Sequence, residues 1–331
     1  MRTFGKLLGW IIGATALLAA GLAAALWLWP AEAPLRVGPY DGAALGEDLD
    51  AWLAAREGVV PGIVPGVEKR IVWAGEPGAR TPLAILYLHG FSATSEEIRP
   101  VPDRVAAALG ANLYFARLAG HGRDGPAMAE ATAEDWMLDL AEALAIGARI
   151  GDRVILMGTS TGGALILAGL GADLPGTDRV AGAVFVSPNF RLASAAGMVL
   201  DLPLVERWGH LIAGRERAFE PLNAAQAQYW TEAYPTAALY PMARMMRAAR
   251  AVDPAALRMP AMFVWSDADQ VVDAGSVRAV ADRWGGPVAR MTVAPGPGID
   301  PSGHVIAGDI VSPAATDAVA AAMIDWARGL R

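Results

Sequence analysis

Four apolar residues, Val154–Met157, run straight into Gly158-Thr159-Ser160-Thr161-Gly162-Gly163, and a second apolar run, Ala164–Leu170, continues without a break. Both flanks demand burial, so the stretch reads as a strand, a tight turn and a helix packed back on that strand. The glycines let strand and helix approach without side-chain clashes. The pattern is G-x-S-x-G, in which a serine on a sharp turn is lifted out of a buried strand–helix unit, beside the free N–H groups of a helix N-terminus. An ordinary glycine-rich turn with Ser160 as a cap has the same local appearance. The rest of the chain has to separate the two.

Short apolar runs alternate with longer helical patterns over most of the 331 residues, the signature of a mostly parallel sheet flanked by helices. Strands are expected at Arg70–Trp73, Leu83–Leu88, Asn112–Ala116, Val154–Met157, Val180–Val186, Ala261–Trp265 and Met291–Ala294. Helices are expected at Thr132–Ile150, Thr161–Leu170, Gly275–Trp284 and Pro313–Arg328, the first opening on the capping box Thr132-x-x-Asp135. From 191 to 250 no convincing strand occurs, but Trp208, Tyr229, Trp230, Tyr234, Tyr240, Met242, Met245 and Met246 do. A segment that long inside a compact domain is expected to be an inserted helical cap. The expected organisation is an N-terminal segment at 1–30, a Pro/Gly-rich connector at 31–66 carrying the amphipathic piece Leu49–Arg56, and an α/β domain at 67–331.

From Leu7 to Ala31 the chain has no charge, and as a helix it would span roughly 37 Å, more than the hydrocarbon core of a bilayer requires. Arg2 and Lys6 precede it, and acidic residues dominate the segment after it. A single-pass membrane anchor is expected, with the N-terminus cytoplasmic and the bulk of the chain extracytoplasmic, on the periplasmic side in a bacterium. Trp27 and Trp29 stand where an interfacial belt would lie. Ala31-Glu32-Ala33 has the form of a cleavage site, but the apolar stretch is longer than the h-region of a signal peptide. There is no cysteine, which removes disulfides, thiol catalysis and cysteine metal sites. With 27 basic against 34 acidic residues and a net charge of −7, nucleic acid is not an expected partner.

A serine nucleophile needs a base, and the four histidines are His89, His121, His210 and His304. In a strand–Ser–helix architecture the order is serine, acid, histidine. His89 and His121 precede Ser160, and His210 falls in the inserted segment. His304 remains, in a loop after the last expected strand. Asp267, Asp269 and Asp273 follow Ala261–Trp265, so any one of them would stand on the rim where the parallel strands end. Asp300, four residues before His304, sits in a Pro/Gly-rich turn where an aspartate usually bonds local backbone. Asp269 lies at the apex of the first group and would orient the histidine. An oxyanion hole requires two N–H donors. Thr161, after the serine, offers one; Phe91, in His89-Gly90-Phe91-Ser92 after Leu83–Leu88, offers the other. His89 and His121 then read as braces of their loops.

His89-Gly90-Phe91, Gly120-His121-Gly122, Gly158–Gly163, Asp267-Ala-Asp269-Gln-Val-Val272 and Ser302-Gly-His304-Val-Ile306 occur in an order that resembles the α/β-hydrolase superfamily, in particular its carboxylesterase and monoacylglycerol-lipase-like branch. The resemblance covers about residues 68–331. It implies Ser160 as nucleophile, Asp269 as acid, His304 as base, Phe91 and Thr161 as oxyanion donors, and a cap at 191–250 between the sixth and seventh strands. Thr159 stands where many relatives carry histidine, and Ser266 where the acid turn often has glycine. The expected activity is hydrolysis of small monoacyl esters through an acyl-enzyme, without metal or cofactor. A peptidase or acyltransferase would use the same residues, and a silent binding protein would keep the fold.

Overall fold

The computed structural model describes residues 2–27, 35, 37–38, 40–194, 196–202 and 204–330. Its nine strands are β1 (Arg70–Val72), β2 (Thr81–Leu88), β3 (Asn112–Phe115), β4 (Gly151–Thr159), β5 (Val180–Val186), β6 (Glu216–Ala218), β7 (Ala233–Pro235), β8 (Ala261–Trp265) and β9 (Val288–Thr292). Seven of them form one sheet in the order β1-β3-β2-β4-β5-β8-β9, with only β1 antiparallel to its neighbour. Chain order reverses beside β2, which pairs with both β3 and β4, and all six parallel strands end on one rim. Loops on such a rim, next to a reversal of strand order, are where open α/β sheets place their sites.

Among the described residues twelve α-helices accompany the strands: α1 (Arg2–Trp27), α2 (Leu49–Glu57), α3 (Val101–Leu109), α4 (Gly125–Met128), α5 (Ala133–Ile150), α6 (Thr161–Gly171), α7 (Ala196–Val199), α8 (Val205–Ala213), α9 (Ala224–Tyr229), α10 (Leu239–Ala251), α11 (Ala274–Arg283) and α12 (Pro313–Arg328). One apolar layer joins α5, α6, α10 and α11 to the sheet through Leu140, Leu165, Met246 and Val277. The opposite layer joins α3 and α12 through Val105, Val319 and Met323. With both faces covered, the central strands are buried on both sides, and β5 is buried at every residue. That explains why the parallel strands read as continuous apolar runs rather than alternations.

Two expectations change. The last strand lies at Val288–Thr292, not Met291–Ala294, because it is a half-exposed edge strand set by its register on β8, Ala261↔Val288 to Trp265↔Thr292. The insertion lies between β5 and β8, the strands expected on either side of it, but it is not wholly helical: β6 and β7 pair antiparallel inside it. Both are three residues long, too short to show a period in sequence.

The connector is not a free spacer throughout. α2, capped by the Asp48 side chain on Ala51 N–H, buries Leu49, Leu53 and Glu57 against the domain. α1 has 26 residues, and where its side chains are described they face outward, Trp10 being 80% and Leu17 76% exposed. Counted over the described residues, no helix is long and apolar enough to cross a membrane. The anchor expected from the sequence is therefore a proposal and not a feature of the fold. Trp29 and the Ala31–Ala33 cleavage pattern lie outside the described residues.

Candidate active site

Ser160 ends β4 and opens α6 with φ 50° and ψ −115°, a conformation that a non-glycine residue adopts only under constraint from its surroundings. The constraint is close packing: a Cβ on Gly162 would lie 2.2 Å from the Leu88 carbonyl oxygen, so only glycine fits under the turn. The strain aims the serine hydroxyl across the rim at the loop that follows β9.

His304 Nε2 stands 3.0 Å from Ser160 Oγ, and His304 Nδ1 stands 2.9 Å from Asp269 Oδ2. The carboxylate fixes the tautomer: Nδ1–H donates to Asp269, leaving Nε2 free to accept the serine proton. Asp269 is itself held, its Oδ1 accepting the N–H groups of Val271 at 2.8 Å and Val272 at 2.9 Å. Burial alone would push His304 down, but the hydrogen bond and charge of Asp269, with Glu97 and Asp300 beyond it, hold its pKa above the ordinary histidine value.

The other aspartates are occupied elsewhere. Asp267 accepts Trp265 Nε1–H at 2.8 Å and pairs with Arg278. Asp273 caps α11 through Gly275 N–H. Asp300 braces the histidine loop, its Oδ2 accepting the N–H of Val305 at 2.9 Å, the N–H of His304 at 3.2 Å and the hydroxyl of Ser302 at 2.7 Å.

Phe91 and Thr161 flank Ser160, one from the loop after β2 and one as the first residue of α6. Neither backbone N–H has a protein acceptor among the described residues. His89 is completely buried and clamps the first of these donors. Leu118 N–H donates to its Nε2 at 3.1 Å, so the ring proton is on Nδ1 and donates to the Gly90 carbonyl at 2.9 Å. A planar peptide whose carbonyl is held one way points its N–H the other way, which directs Phe91 N–H away from His89. Burial, followed by the neighbouring His121, keeps His89 well below the usual histidine range and therefore neutral. His121, pushed by burial to about 4, packs against Phe91 and Trp136.

Ser160 and His304 form the floor of a cavity of about 830 Å³. Leu200, Val205, Trp230, Tyr240 and Met242 of the inserted segment wall it. Of the residues singled out in that segment, Tyr234 also faces the cavity, whereas Met245 and Met246 are buried in the layer beneath α10. His210 lies on α8 and does not line the cavity. Sequence reasoning missed Glu97, a buried carboxylate on the cavity wall. Its one signal was a charge immediately before the apolar Ile98 in a short loop. No group of three or more His, Asp or Glu among the described residues is placed to hold a metal ion. Chemically, the arrangement supplies a serine with a base, an oriented base, and unpartnered N–H donors beside an apolar cavity.

A family model described as "Alpha/beta hydrolase family" matches residues 85–322. A thermostable monoacylglycerol lipase from Bacillus sp. (strain H-257) is 30% identical over 200 residues, 59% of this chain and 74% of that protein. A solved structure of LipS and LipT, two metagenome-derived lipolytic enzymes, superposes with a TM-score of 0.64 at 20% identity, covering 80% of this chain and 99% of that one. The monoacylglycerol lipase of Paleococcus ferrophilus superposes with a TM-score of 0.56 at 14% identity, covering 78% and 98%. Likeness at these structural identities speaks for the fold.

Proposed function

The chain belongs to the α/β-hydrolase family and is lipase- and esterase-like, and from that premise we propose that it is a serine hydrolase of small monoacyl esters. The observation that carries this reading is the chain of hydrogen bonds Ser160–His304–Asp269 on the floor of a cavity with apolar walls. Ser160 Oγ attacks the acyl carbonyl while His304 Nε2 takes its proton. The oxyanion that forms is held by the N–H groups of Phe91 and Thr161. His304 then protonates the departing alkoxide, leaving the acyl group on Ser160. Water, deprotonated by the same histidine, releases the carboxylic acid and restores the serine.

Cavity size and lining favour one acyl chain of short to medium length; a triacylglycerol is too bulky beneath this roof. The similarity to a monoacylglycerol lipase supports the same class. The hydrolase domain is proposed to span 67–331, with its cap at 191–250. Residues 1–30 are proposed as a membrane anchor that leaves the domain extracytoplasmic, on the strength of the uncharged run Leu7–Ala31 and the outward-facing side chains of α1. A fluorophosphonate probe should label the protein, and Ser160→Ala should abolish labelling and lower turnover by on the order of 10⁶. Near-normal hydrolysis by Ser160→Ala would sink the assignment. Faster turnover of emulsified long-chain triacylglycerol than of soluble monoesters would reverse the substrate preference.

A further inference from the structure

Glu97 is 2% exposed, yet it has no salt-bridge partner among the described residues. It sits where three pieces of the site meet. Its Oε2 accepts Gly90 N–H at 2.6 Å, on the loop that presents Phe91. The same oxygen accepts the Tyr87 hydroxyl at 3.2 Å, and Tyr87 Oη lies 3.1 Å from Thr159 Oγ1, next to the nucleophile. Its backbone packs on the histidine loop, since a Cβ on Gly308 would lie 2.8 Å from the Glu97 carbonyl oxygen. The second carboxylate oxygen faces the nucleophile across Gly90: a Cβ there would lie 2.5 Å from Glu97 Oε1 and 3.1 Å from Ser160 Cβ.

We propose that Glu97 is a positioning residue, which fixes the Phe91 N–H in the oxyanion hole and sets a second carboxylate against His304. The proposal rests on the serine-hydrolase reading. Gly90 is held on both sides, by Glu97 at its N–H and by His89 at its carbonyl. Glu97 fixes the His89–Gly90 peptide and His89 fixes the Gly90–Phe91 peptide, so Gly90 cannot rotate between them and turn its carbonyl into the hole. The Tyr87–Thr159 link ties this loop to the turn that carries Ser160, so donor and nucleophile move as one body. A neutral asparagine or a water at this position would hold Gly90 N–H without charge. A carboxylate adds a field that the imidazolium of His304 feels as each proton is transferred.

The groups facing Glu97 are Tyr87 on β2 and His304 on the loop after β9; those facing His304 are Asp269, Asp300 and Glu97 itself. Burial raises the Glu97 carboxyl to about 7, against the pull of Gly90 N–H, His304 and Tyr87. Its negative charge in turn raises His304. The carboxyl is fully ionised only above about pH 7, where its charge favours protonated His304, so Glu97→Gln should draw the upper part of the acid limb to lower pH.

Three proteins decide the matter: wild type, Glu97→Ala and Glu97→Gln, each measured for kcat and KM across pH on a soluble monoester and for fluorophosphonate labelling at Ser160. Removing an oxyanion donor outright costs about 10²–10³ in kcat, so Glu97→Ala, which loosens one, should lose roughly 10- to 100-fold in kcat with KM little changed. Glu97→Gln keeps an oxygen for Gly90 N–H and should recover most of that rate, with its acid limb displaced to lower pH. Full kcat in Glu97→Ala would overturn the proposal, as would a glutamine variant as slow as the alanine one with its acid limb unmoved. If Glu97→Ala fails to fold, Glu97→Asp, whose side chain is too short to reach Gly90 N–H, takes its place in the same comparison of kcat. Wild type that does not label at Ser160 would instead sink the serine-hydrolase reading, whatever Glu97 does.

Discussion

Two buried polar clusters in this chain use the same side-chain chemistry to opposite ends. On the rim, Ser160, His304 and Glu97 share a cavity wall, with Asp269 bonded to His304; the serine is held in a strained conformation, and two backbone donors lack protein acceptors among the described residues. Under α2, Glu57 and Arg117 form a bidentate pair at 2.6 and 2.8 Å, and Lys69 bonds Asp139 at 2.8 Å and Glu142 at 2.6 Å. Here every charge meets an opposite one. Even the Glu142 carboxylate is approached by the hydroxyls of Tyr40 and Tyr114. A closed network of this kind fixes geometry and does little chemistry, whereas the rim keeps groups unsatisfied so that a substrate can satisfy them. Changes on the rim should therefore cost rate and leave folding alone, and changes under α2 should do the reverse.

The largest effect that tests this contrast, after that of Ser160→Ala, is Asp269→Asn. The asparagine keeps the shape but no longer dictates that the His304 proton sits on Nδ1, and kcat should fall ~10⁴-fold with thermal stability unchanged. The sign of the pH effect is fixed as well. His304 is held above the ordinary histidine value chiefly by Asp269 against burial, so the residual activity should show its acid limb at lower pH than wild type. A large stability loss with rate intact would erase the distinction between the clusters. Asp267→Asn and Asp300→Asn are the controls: a loss of about 10⁴-fold in either, with Asp269→Asn active, would relocate the acid.

The next effect should appear in stability. Glu57→Ala leaves the Arg117 guanidinium buried without its partner, which costs about 3–5 kcal/mol in comparable buried pairs. Turnover per folded molecule should not change. Burial works against the ionised form of Glu57, but the hydrogen bonds and charge of Arg117 and the N–H of Lys69 hold its carboxyl below the usual glutamate range. A depressed folded pKa means that this stabilisation is complete above the unfolded value and is lost as pH falls through the folded one. Denaturant midpoints of wild type and Glu57→Ala should converge in that acidic window and diverge above it. Equal stability at neutral pH would show that the pair contributes nothing net.

How much of the molecule was legible in sequence depended on where each group lies. Ala261–Trp265 is a strand in both readings because a strand buried on two faces must be apolar throughout, and the Thr132 capping box marks a helix start by its own chemistry. That Ser160, His304 and Asp269 would meet was legible because their order along the chain, the scarcity of histidine and the family resemblance leave few combinations. α3 went unread because Pro100 and Pro102 frame its start and its nine residues are too few to establish a period. Glu97 went unread because a charge in a loop reads as solvated, and only the tertiary fold shows the Gly90 N–H it accepts. The amphipathic piece Leu49–Arg56 was legible as a helix but not as part of the closed cluster, since Arg117 lies sixty residues beyond Glu57 in sequence.

The Glu57–Arg117 pair divides the connector, and the division yields the smallest expected effect. Removing residues 1–33 takes away α1 but leaves Asp48, Leu49, Leu53 and Glu57, hence the whole cluster under α2 and everything on the rim. The shortened protein should fold, turn over soluble monoesters at the wild-type rate, and leave the membrane fraction if α1 anchors it. Removing residues 1–58 is the contrasting cut. It strips Leu49 and Leu53 from the apolar layer and leaves Arg117 without Glu57, so the domain should be destabilised by at least as much as Glu57→Ala. If both deletions behave alike, α2 is a tether and not part of the fold. If the shorter deletion already lowers kcat on soluble esters, α1 acts on the rim, and the separation between the two clusters does not hold at the N-terminus.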